Sequence, residues 1–591
     1  MTPARTTSPS QLIGRGFRFL AGLDRARLLG LMMVVAVAVI CFTPGMSSIS
    51  PIDRDEARFA QASKQMVASG DYVTPRFQQD LRAKKPIGIY WMQSASARIF
   101  GDQHIASYRV PSVIGGVLMV VLTTLFARQL LPPRAAVFAG LFMATSLVMV
   151  MESHLATTDA MLAAMVTLQQ ITLWKIRQLD SGGHYVSGKY AALFWAAMAA
   201  AILIKGPIAP VVAIMTIALV VVASGQWRDG GWRWVLALKP MLGVIILTAL
   251  VLPWVVLVTS ATDGAFLNIA INGDFVSKLK SGQESHGAPP LTYLGLIIIT
   301  FWPASLFLAR AVKAVAPRWR DGDILFLLGW LLPFWVILEM TPTKLPHYNL
   351  PLFTALVILA MMGIDESLPA AKSRLPKPPS PEQPLARARR LLKSVSITRG
   401  IVLAWEWGFM ALGPVLGMVV IYLATFGQGS RMAAAVAFGL ACGVSAAAFW
   451  WQRRGKTMAL VAMITSAMMF YVVLMGSVLP SLEGFRLAPR IKDAIATITP
   501  SPQLITAAGY HEPSLVFELG TDILLFSPDE AAFFMAEAED GLALVEQRSA
   551  SEFRNTAREL GLKLELITSL KGHNYSRGQD VEILFYRRPR E

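Results

Sequence analysis

The chain has 591 residues, 54% of them hydrophobic and 16% charged, with a formal net charge of +16 and a mean hydropathy of +0.50. That balance argues against a water-soluble fold of this size and puts most of the chain in lipid. The excess Lys and Arg lie in short loops between apolar runs, where they orient the chain in a bilayer, and this excludes nucleic acid as a partner. Cys41 and Cys442 both lie in apolar runs, which leaves neither a disulfide framework nor metal-ligand spacing.

The first apolar run, residues 27–43, follows Arg15, Arg18, Arg25 and Arg27 and lacks an A-x-A cleavage site, so a retained span is predicted. A helix needs about 20 apolar residues to cross the hydrocarbon layer. On that measure further spans are predicted near 108–131, 134–152, 156–174, 189–204, 206–224, 238–260, 291–312, 322–339, 345–364, 401–427, 430–451 and 455–479, thirteen in all. Basic residues alternate from loop to loop, with dense groups at Lys175–Lys189, Arg228–Lys239, Arg310–Arg320, Lys372–Arg399 and Arg453–Lys456. The intervening connections carry only Lys205, Lys278, Lys280, Lys344 and Arg431. This pattern predicts a cytoplasmic N-terminus, and the odd span count puts the C-terminal tail outside.

Residues 1–479 are therefore read as a membrane domain, with a polar first outer loop at 44–107 and a Pro-rich, basic cytoplasmic linker at 365–399. Residues 480–591 have a soluble composition. Strands at Leu504–Ala508, Ile523–Phe526, Leu542–Val545, Leu562–Thr568 and Val581–Tyr586 are spaced by helices at Pro513–Leu519, Pro528–Ala538 and Ser551–Leu560, a pattern that predicts a small α/β domain. Taken alone, it reads as a structural or acceptor-docking cap.

The first loop carries Asp53-Arg54-Asp55-Glu56-Ala57-Arg58-Phe59 and continues to Gly70 without an internal Gly or Pro. A surface helix with its carboxylates at the N-terminal end is predicted. A helix cap needs one acid and this segment supplies three, with Arg58 one turn from Asp55. Lys84-Lys85-Pro86 then leads into Ile87-Gly88-Ile89-Tyr90-Trp91, an interfacial aromatic helix in which Pro86 is expected as the first residue. Lysines here suit either anionic lipid headgroups or a specific phosphate.

Asp159 and Lys205 lie at the outer ends of spans, where charges are costly and are usually paired or functional. Loop 261–290 adds Asn272, Asp274, Gln283, Glu284 and His286, hydrogen-bonding groups of the kind a sugar needs. Lys344, His347 and Tyr348 stand in Lys344-Leu345-Pro346-His347-Tyr348-Asn349-Leu350-Pro351. The topology places Asp55, Lys85, Asp159, Lys205, His286 and Lys344 on a single face. A flippase or transporter would instead spread its charges through the depth of the bilayer.

Three segments resemble the GT-C glycosyltransferases of the protein mannosyltransferase and lipid A aminoarabinose transferase type. They are Asp55-Glu56-Ala57-Arg58-Phe59-Ala60 with Ser69-Gly70-Asp71-Tyr72-Val73-Thr74-Pro75, Lys85-Pro86 followed by Tyr90-Trp91, and Lys344-Leu345-Pro346-His347-Tyr348. The resemblance implies a polytopic α-helical GT-C membrane domain and an undecaprenyl-phosphate-type sugar donor. The acceptor it implies is a periplasmic lipid A, another envelope glycan or a polypeptide, and the location is the bacterial inner membrane. It also implies that Asp55 is the catalytic carboxylate, that Lys85 contacts the lipid phosphate and that Asp159 assists. Phe59 stands where a tyrosine is common and Ile87 where a second proline is frequent, so contacts made by those side chains do not carry over.

A polyprenyl phosphate leaving the anomeric carbon develops a second negative charge, which Lys85, Arg58 and Lys205 are placed to stabilise. Asp55 would deprotonate an acceptor hydroxyl, or position a phosphate acceptor. Glu56, Tyr90, Glu284, His286, Lys344, His347 and Tyr348 are the candidates for sugar or acceptor binding. No cofactor is expected. No metal-ligand set stands out, and a divalent ion is left open.

Overall fold

The computed structural model describes residues 25–270, 287–364, 395–455 and 457–589. Glu284, His286 and residues 365–394 of the linker lie outside them. Helix α1 (Arg25–Phe42) leads into the first loop, which holds α2 (Asp55–Ser69), a short hairpin of β1 (Arg76–Phe77) and β2 (Asp80–Leu81), and α3 (Gly88–Phe100). The bundle continues through α4 (Ile105–Leu130), α5 (Pro133–Ala144), α6 (Leu147–Ser153), α7 (Asp159–Ser181), α8 (Gly188–Lys205), α9 (Ile208–Ala223) and α10 (Pro240–Ala261). After these come α11 (Thr292–Thr300), α12 (Leu308–Val315), α13 (Gly322–Met340), α14 (Phe353–Met362), α15 (Val395–Phe426), α16 (Arg431–Arg454) and α17 (Thr457–Val473).

Every stretch predicted to span thus contains helix, but the helices are not equivalent. Among the described residues eight are long and apolar enough to cross a membrane, or ten if each of two bent pairs is one span. Helix α9 and the Leu350–Met362 stretch are shorter, and α7 is long but diluted by Thr167, Gln169, Gln170 and Thr172.

The two bends fit together. The α5–α6 pair turns by 56° and the pair formed by α11 and Ala304–Arg318 turns by 120°. The Leu147 N–H donates to the Trp302 carbonyl at 3.0 Å, and Ser146 Oγ donates to that of Thr300 at 3.2 Å. Irregular backbone at membrane depth is tolerated where protein groups satisfy it in this way.

Beyond α17 the chain turns through Leu474–Phe485 into α18 (Leu487–Ala496), then β3 (Leu504–Ala508), α19 (Pro513–Leu519), β4 (Leu524–Phe526), α20 (Pro528–Glu537), β5 (Gly541–Glu546), α21 (Ala550–Glu559), β6 (Glu565–Asn574) and β7 (Gln579–Arg587). The strands form one sheet in the order β4-β3-β5-β7-β6. β3 is parallel to β4 and β5, while β7 runs antiparallel to β5 and β6. The central strand β5 is buried along its whole length, as a strand covered on both faces must be.

Two details depart from the sequence reading. Helix α18 was not expected, because Pro489 and the charges of Arg490, Lys492 and Asp493 interrupt the short apolar set Leu487, Ala488 and Ile491. Strand β6 begins at Glu565 and runs to Asn574, since its register is set by pairing with β7, from Glu565 opposite Arg587 to Asn574 opposite Gln579.

Candidate active site

Helix α2 starts at Asp55, as predicted, and stops at Gly70, whose φ of 76° is the left-handed cap glycine adopts without strain. The acid that anchors the helix is Glu56. Its Oε1 accepts Arg109 Nε at 2.8 Å and the Ala156 N–H at 2.8 Å, and its Oε2 accepts Arg109 Nη2 at 2.9 Å and the Ile52 N–H at 2.8 Å. Arg109 is fully buried in α4 and also donates to the carbonyls of Met46, Ile49 and Ser50. The expectation that Glu56 binds sugar or acceptor is therefore corrected: both of its oxygens are committed to a buried, bidentate pair that seats α2 on α4.

Asp55 points the other way and is exposed. Its neighbouring cation is Arg82, with Nη2 at 3.9 Å from Asp55 Oδ1. Arg58 carries no ion pair among the described residues. Arg82 is buried, lies over the Phe59 ring at 4.7 Å and donates through Nε to Tyr90 Oη at 3.1 Å. Among the described residues its Nη2 has no hydrogen-bond acceptor. Tyr90 is fully buried and packs on Phe59, ring centroids 5.5 Å apart. The Tyr90 hydroxyl, expected to touch sugar or acceptor, thus fixes Arg82. Sequence reasoning passed over Arg82, although it opens the basic run Arg82-Ala83-Lys84-Lys85.

A second cluster forms where the first residue of α7 meets the last residue of α8. Lys205 Nζ donates to Asp159 Oδ1 at 2.6 Å and lies 4.9 Å from the centre of the Tyr348 ring. Thr158 Oγ1 donates to Asp159 Oδ2 at 3.0 Å. His347 inserts between acids, with Nδ1 3.0 Å from Glu152 Oε1 and Nε2 3.8 Å from Asp159 Oδ2. Glu152, on α6, is buried, and its other oxygen accepts Thr157 Oγ1 at 3.0 Å. Sequence reasoning missed it; the signal was an acid at the edge of an apolar run. Among the described residues no group of His, Cys, Asp and Glu gathers in a form fit to hold a metal ion.

The two clusters are joined through backbone. Gly88, at the start of α3, approaches the end of α8 so closely that a Cβ there would lie 2.8 Å from the Leu203 carbonyl oxygen. Only glycine permits this contact, which seats the start of α3, three residues after Lys85, against the helix end that bears Lys205. The helix begins at Gly88, so Pro86 precedes it by two residues instead of opening it. Lys344 is buried, and its Nζ donates to the carbonyls of Ala288 at 3.0 Å and Thr341 at 2.5 Å, clamping the Gly287 to Thr343 bridge.

The C-terminal domain grips the segment that presents Asp55. Asp53 Oδ1 accepts the Ser514 N–H at 2.9 Å, and the Asp53 N–H donates to Tyr575 Oη at 2.7 Å. Arg54, held at φ 73°, donates through Nη2 to the Ser576 carbonyl at 2.5 Å. Gln61 reaches Thr521 Oγ1, Lys64 the Phe517 carbonyl, and Gln78 the Thr521 and Ile523 carbonyls. A residue other than glycine rarely adopts a positive φ, so the strained residue just before Asp55 is one the domain holds.

Comparison with known proteins agrees with this architecture. Residues 84–257 match the family described as dolichyl-phosphate-mannose-protein mannosyltransferase. The undecaprenyl phosphate-alpha-4-amino-4-deoxy-L-arabinose arabinosyl transferase of Edwardsiella ictaluri (strain 93-146) is 28% identical over 310 residues, covering 52% of this chain and 54% of that protein. Its counterpart in Pseudomonas aeruginosa (strain UCBPP-PA14) is 26% identical over 306 residues, with the same coverage of 52% and 54%. This chain thus spans about half the length of the curated relatives it matches. The crystal structure of ArnT from Cupriavidus metallidurans bound to undecaprenyl phosphate superposes with a TM-score of 0.71 at 20% identity, covering 94% of this chain and 97% of that one. The chain is a multi-pass membrane protein that shares the fold of the Cupriavidus metallidurans ArnT structure and matches the mannosyltransferase family over residues 84–257.

Proposed function

We propose that this protein transfers a sugar from a polyprenyl-phosphate donor of the undecaprenyl-phosphate type to an acceptor on the outer face of the bacterial inner membrane, such as lipid A or another envelope glycan. The observation that carries this reading is the meeting of Lys205, Asp159, His347 and Tyr348 at one bundle end, with Gly88, three residues after Lys85, packed against the same helix end. Lys205, Lys85 and Arg58 would receive the phosphate as it leaves the anomeric carbon, where cations lower the barrier by stabilising the developing charge. Asp55, exposed and oriented by Arg82, would take the proton of a hydroxyl acceptor or position an acceptor that is already anionic. The buried pairing of its neighbour Glu56 with Arg109 favours Asp55 over Glu56 for that role.

In this reading the N-terminus is cytoplasmic and residues 480–591 form a periplasmic domain that holds the acceptor-facing loop in place. The alternation of basic loops supports that orientation. Mass spectrometry of envelope glycolipids from cells with the intact gene, a deletion and Asp55→Asn tests the reading. A lipid-linked modification present only with the intact gene is expected. Identical glycolipids and glycoproteins in all three would overturn it.

A further inference from the structure

Lys205 meets Asp159 at 2.6 Å, and a lysine neutralised by one carboxylate is a weak attractor for a phosphate. The surroundings make the balance worse. Glu152 and Asp159 are both buried, and they face one ammonium. Counting charges, two carboxylates against Lys205 leave the cluster at minus one. The group between the two acids is His347, whose nitrogens stand 3.0 Å from Glu152 and 3.8 Å from Asp159. The cluster is neutral only when that imidazole carries both protons.

We infer that His347 is a positioning residue of the donor-phosphate site: as imidazolium, oriented by Glu152, it offsets the second negative charge of the two buried acids and leaves the ammonium of Lys205 able to attract the lipid phosphate. This rests on the donor reading above and replaces the expectation that His347 touches the sugar. The geometry suits the role. Glu152 Oε2 is held by Thr157 Oγ1, so the acid cannot swing away, and the imidazole is its partner on Oε1. Lys205 is backed by the face of Tyr348, the residue after His347, so one turn of chain places both the imidazole and the ring. The charged groups facing His347 are Glu152 on α6, Asp159 on α7 and Lys205 on α8. By linkage, whatever favours the proton on His347 favours the bound phosphate, and the reverse.

The test is binding of undecaprenyl phosphate itself to the full-length protein in nanodiscs, from pH 5.5 to 8.5. The wild type is expected to bind more weakly once the pH is high enough to remove the second proton of His347, by about 10- to 100-fold for the loss of one nearby unit charge. The lipid phosphate's own second ionisation, near about 6, acts in the opposite sense and so cannot produce that loss. His347→Gln should bind weakly at every pH and lose the falling slope. His347→Lys, which keeps the cation, should bind tightly at alkaline pH. Glu152→Gln, which removes one negative charge, should also retain binding there. Thermal unfolding checks that each variant is folded. If His347→Gln binds like the wild type throughout, or if both lysine and glutamine variants behave alike, the inference falls while the donor reading stands. If the wild type binds no undecaprenyl phosphate at any pH, the donor reading falls and takes this inference with it.

Discussion

Asp53 Oδ1 accepts the backbone N–H of Ser514 at 2.9 Å across the boundary between the first outer loop and the C-terminal domain. The acid is buried, and burial, reinforced by the Glu512 carboxylate and only partly offset by hydrogen bonds from Ser514 and Tyr575, pushes its pKa up from 3.8 to about 6. When the domain undocks, the carboxyl returns to water and its ordinary range. Between those two values the docked state holds the extra proton, so docking weakens as pH rises through that window, by about 3 kcal/mol once Asp53 is ionised in both states. Hydrogen exchange of residues 504–587 should show greater protection at pH 5 than at pH 7.5. Asp53→Asn keeps an oxygen for Ser514 without the charge, and its protection should be nearly independent of pH.

Glu56→Gln leaves Arg109 buried without its carboxylate. Breaking one side of a buried pair costs about 3–5 kcal/mol, so the variant should unfold at lower temperature or fail to accumulate. Arg109→Met should behave alike. A Glu56→Gln protein as stable as wild type but inactive would restore Glu56 to the chemistry.

Asp55→Asn keeps the size of an exposed side chain and removes its charge. A general base contributes about 10²–10⁴ in rate, so sugar transfer should fall by that order with little change in stability. Near-normal transfer would leave Asp55 as no more than the first residue of α2.

Arg82→Met should lower kcat by about 10-fold or more with donor binding nearly intact, since it removes the cation beside Asp55 and not one placed for the phosphate. In the Asp55→Asn background the same change should add little, because residues acting through one another are not additive. Tyr90→Phe, which frees Arg82 Nε, should give a smaller loss of the same kind. Independent, additive losses would separate Arg82 from Asp55.

Lys85→Ala should weaken engagement of the polyprenyl-phosphate donor while the protein still folds. Transfer rates measured over a full donor titration check this, and an unchanged KM would remove Lys85 from the donor site. Reporter fusions at Pro379 and after Leu482 should give opposite signals if the C-terminal domain is outside; matching signals would undo the single-face arrangement.

The membrane helices, the surface helix from Asp55 and the alternating strands and helices of the tail were legible because each rests on local signals: apolar length, a run free of Gly and Pro, and alternation with turn residues. The resemblance in Asp55–Ala60, Lys85–Pro86 and Lys344–Tyr348 pointed to the segments that fold around the site. What no local signal carried was the partner of each charge. Three acids in the first loop look equivalent in sequence, yet Asp53 docks the C-terminal domain, Glu56 is consumed by Arg109 from 53 residues away, and Asp55 alone faces outward. Arg58 is one turn from Asp55 on the helix, but Arg82 approaches it from the following loop. Lys344 and Lys205 both sit at the ends of apolar runs, and only packing decides that one clamps carbonyls while the other meets Asp159 and Tyr348. Backbone propensity acts over a few residues, whereas the cost of burying a charge is settled by whichever opposite charge the fold brings within about 4 Å, and that is a property of the assembled bundle.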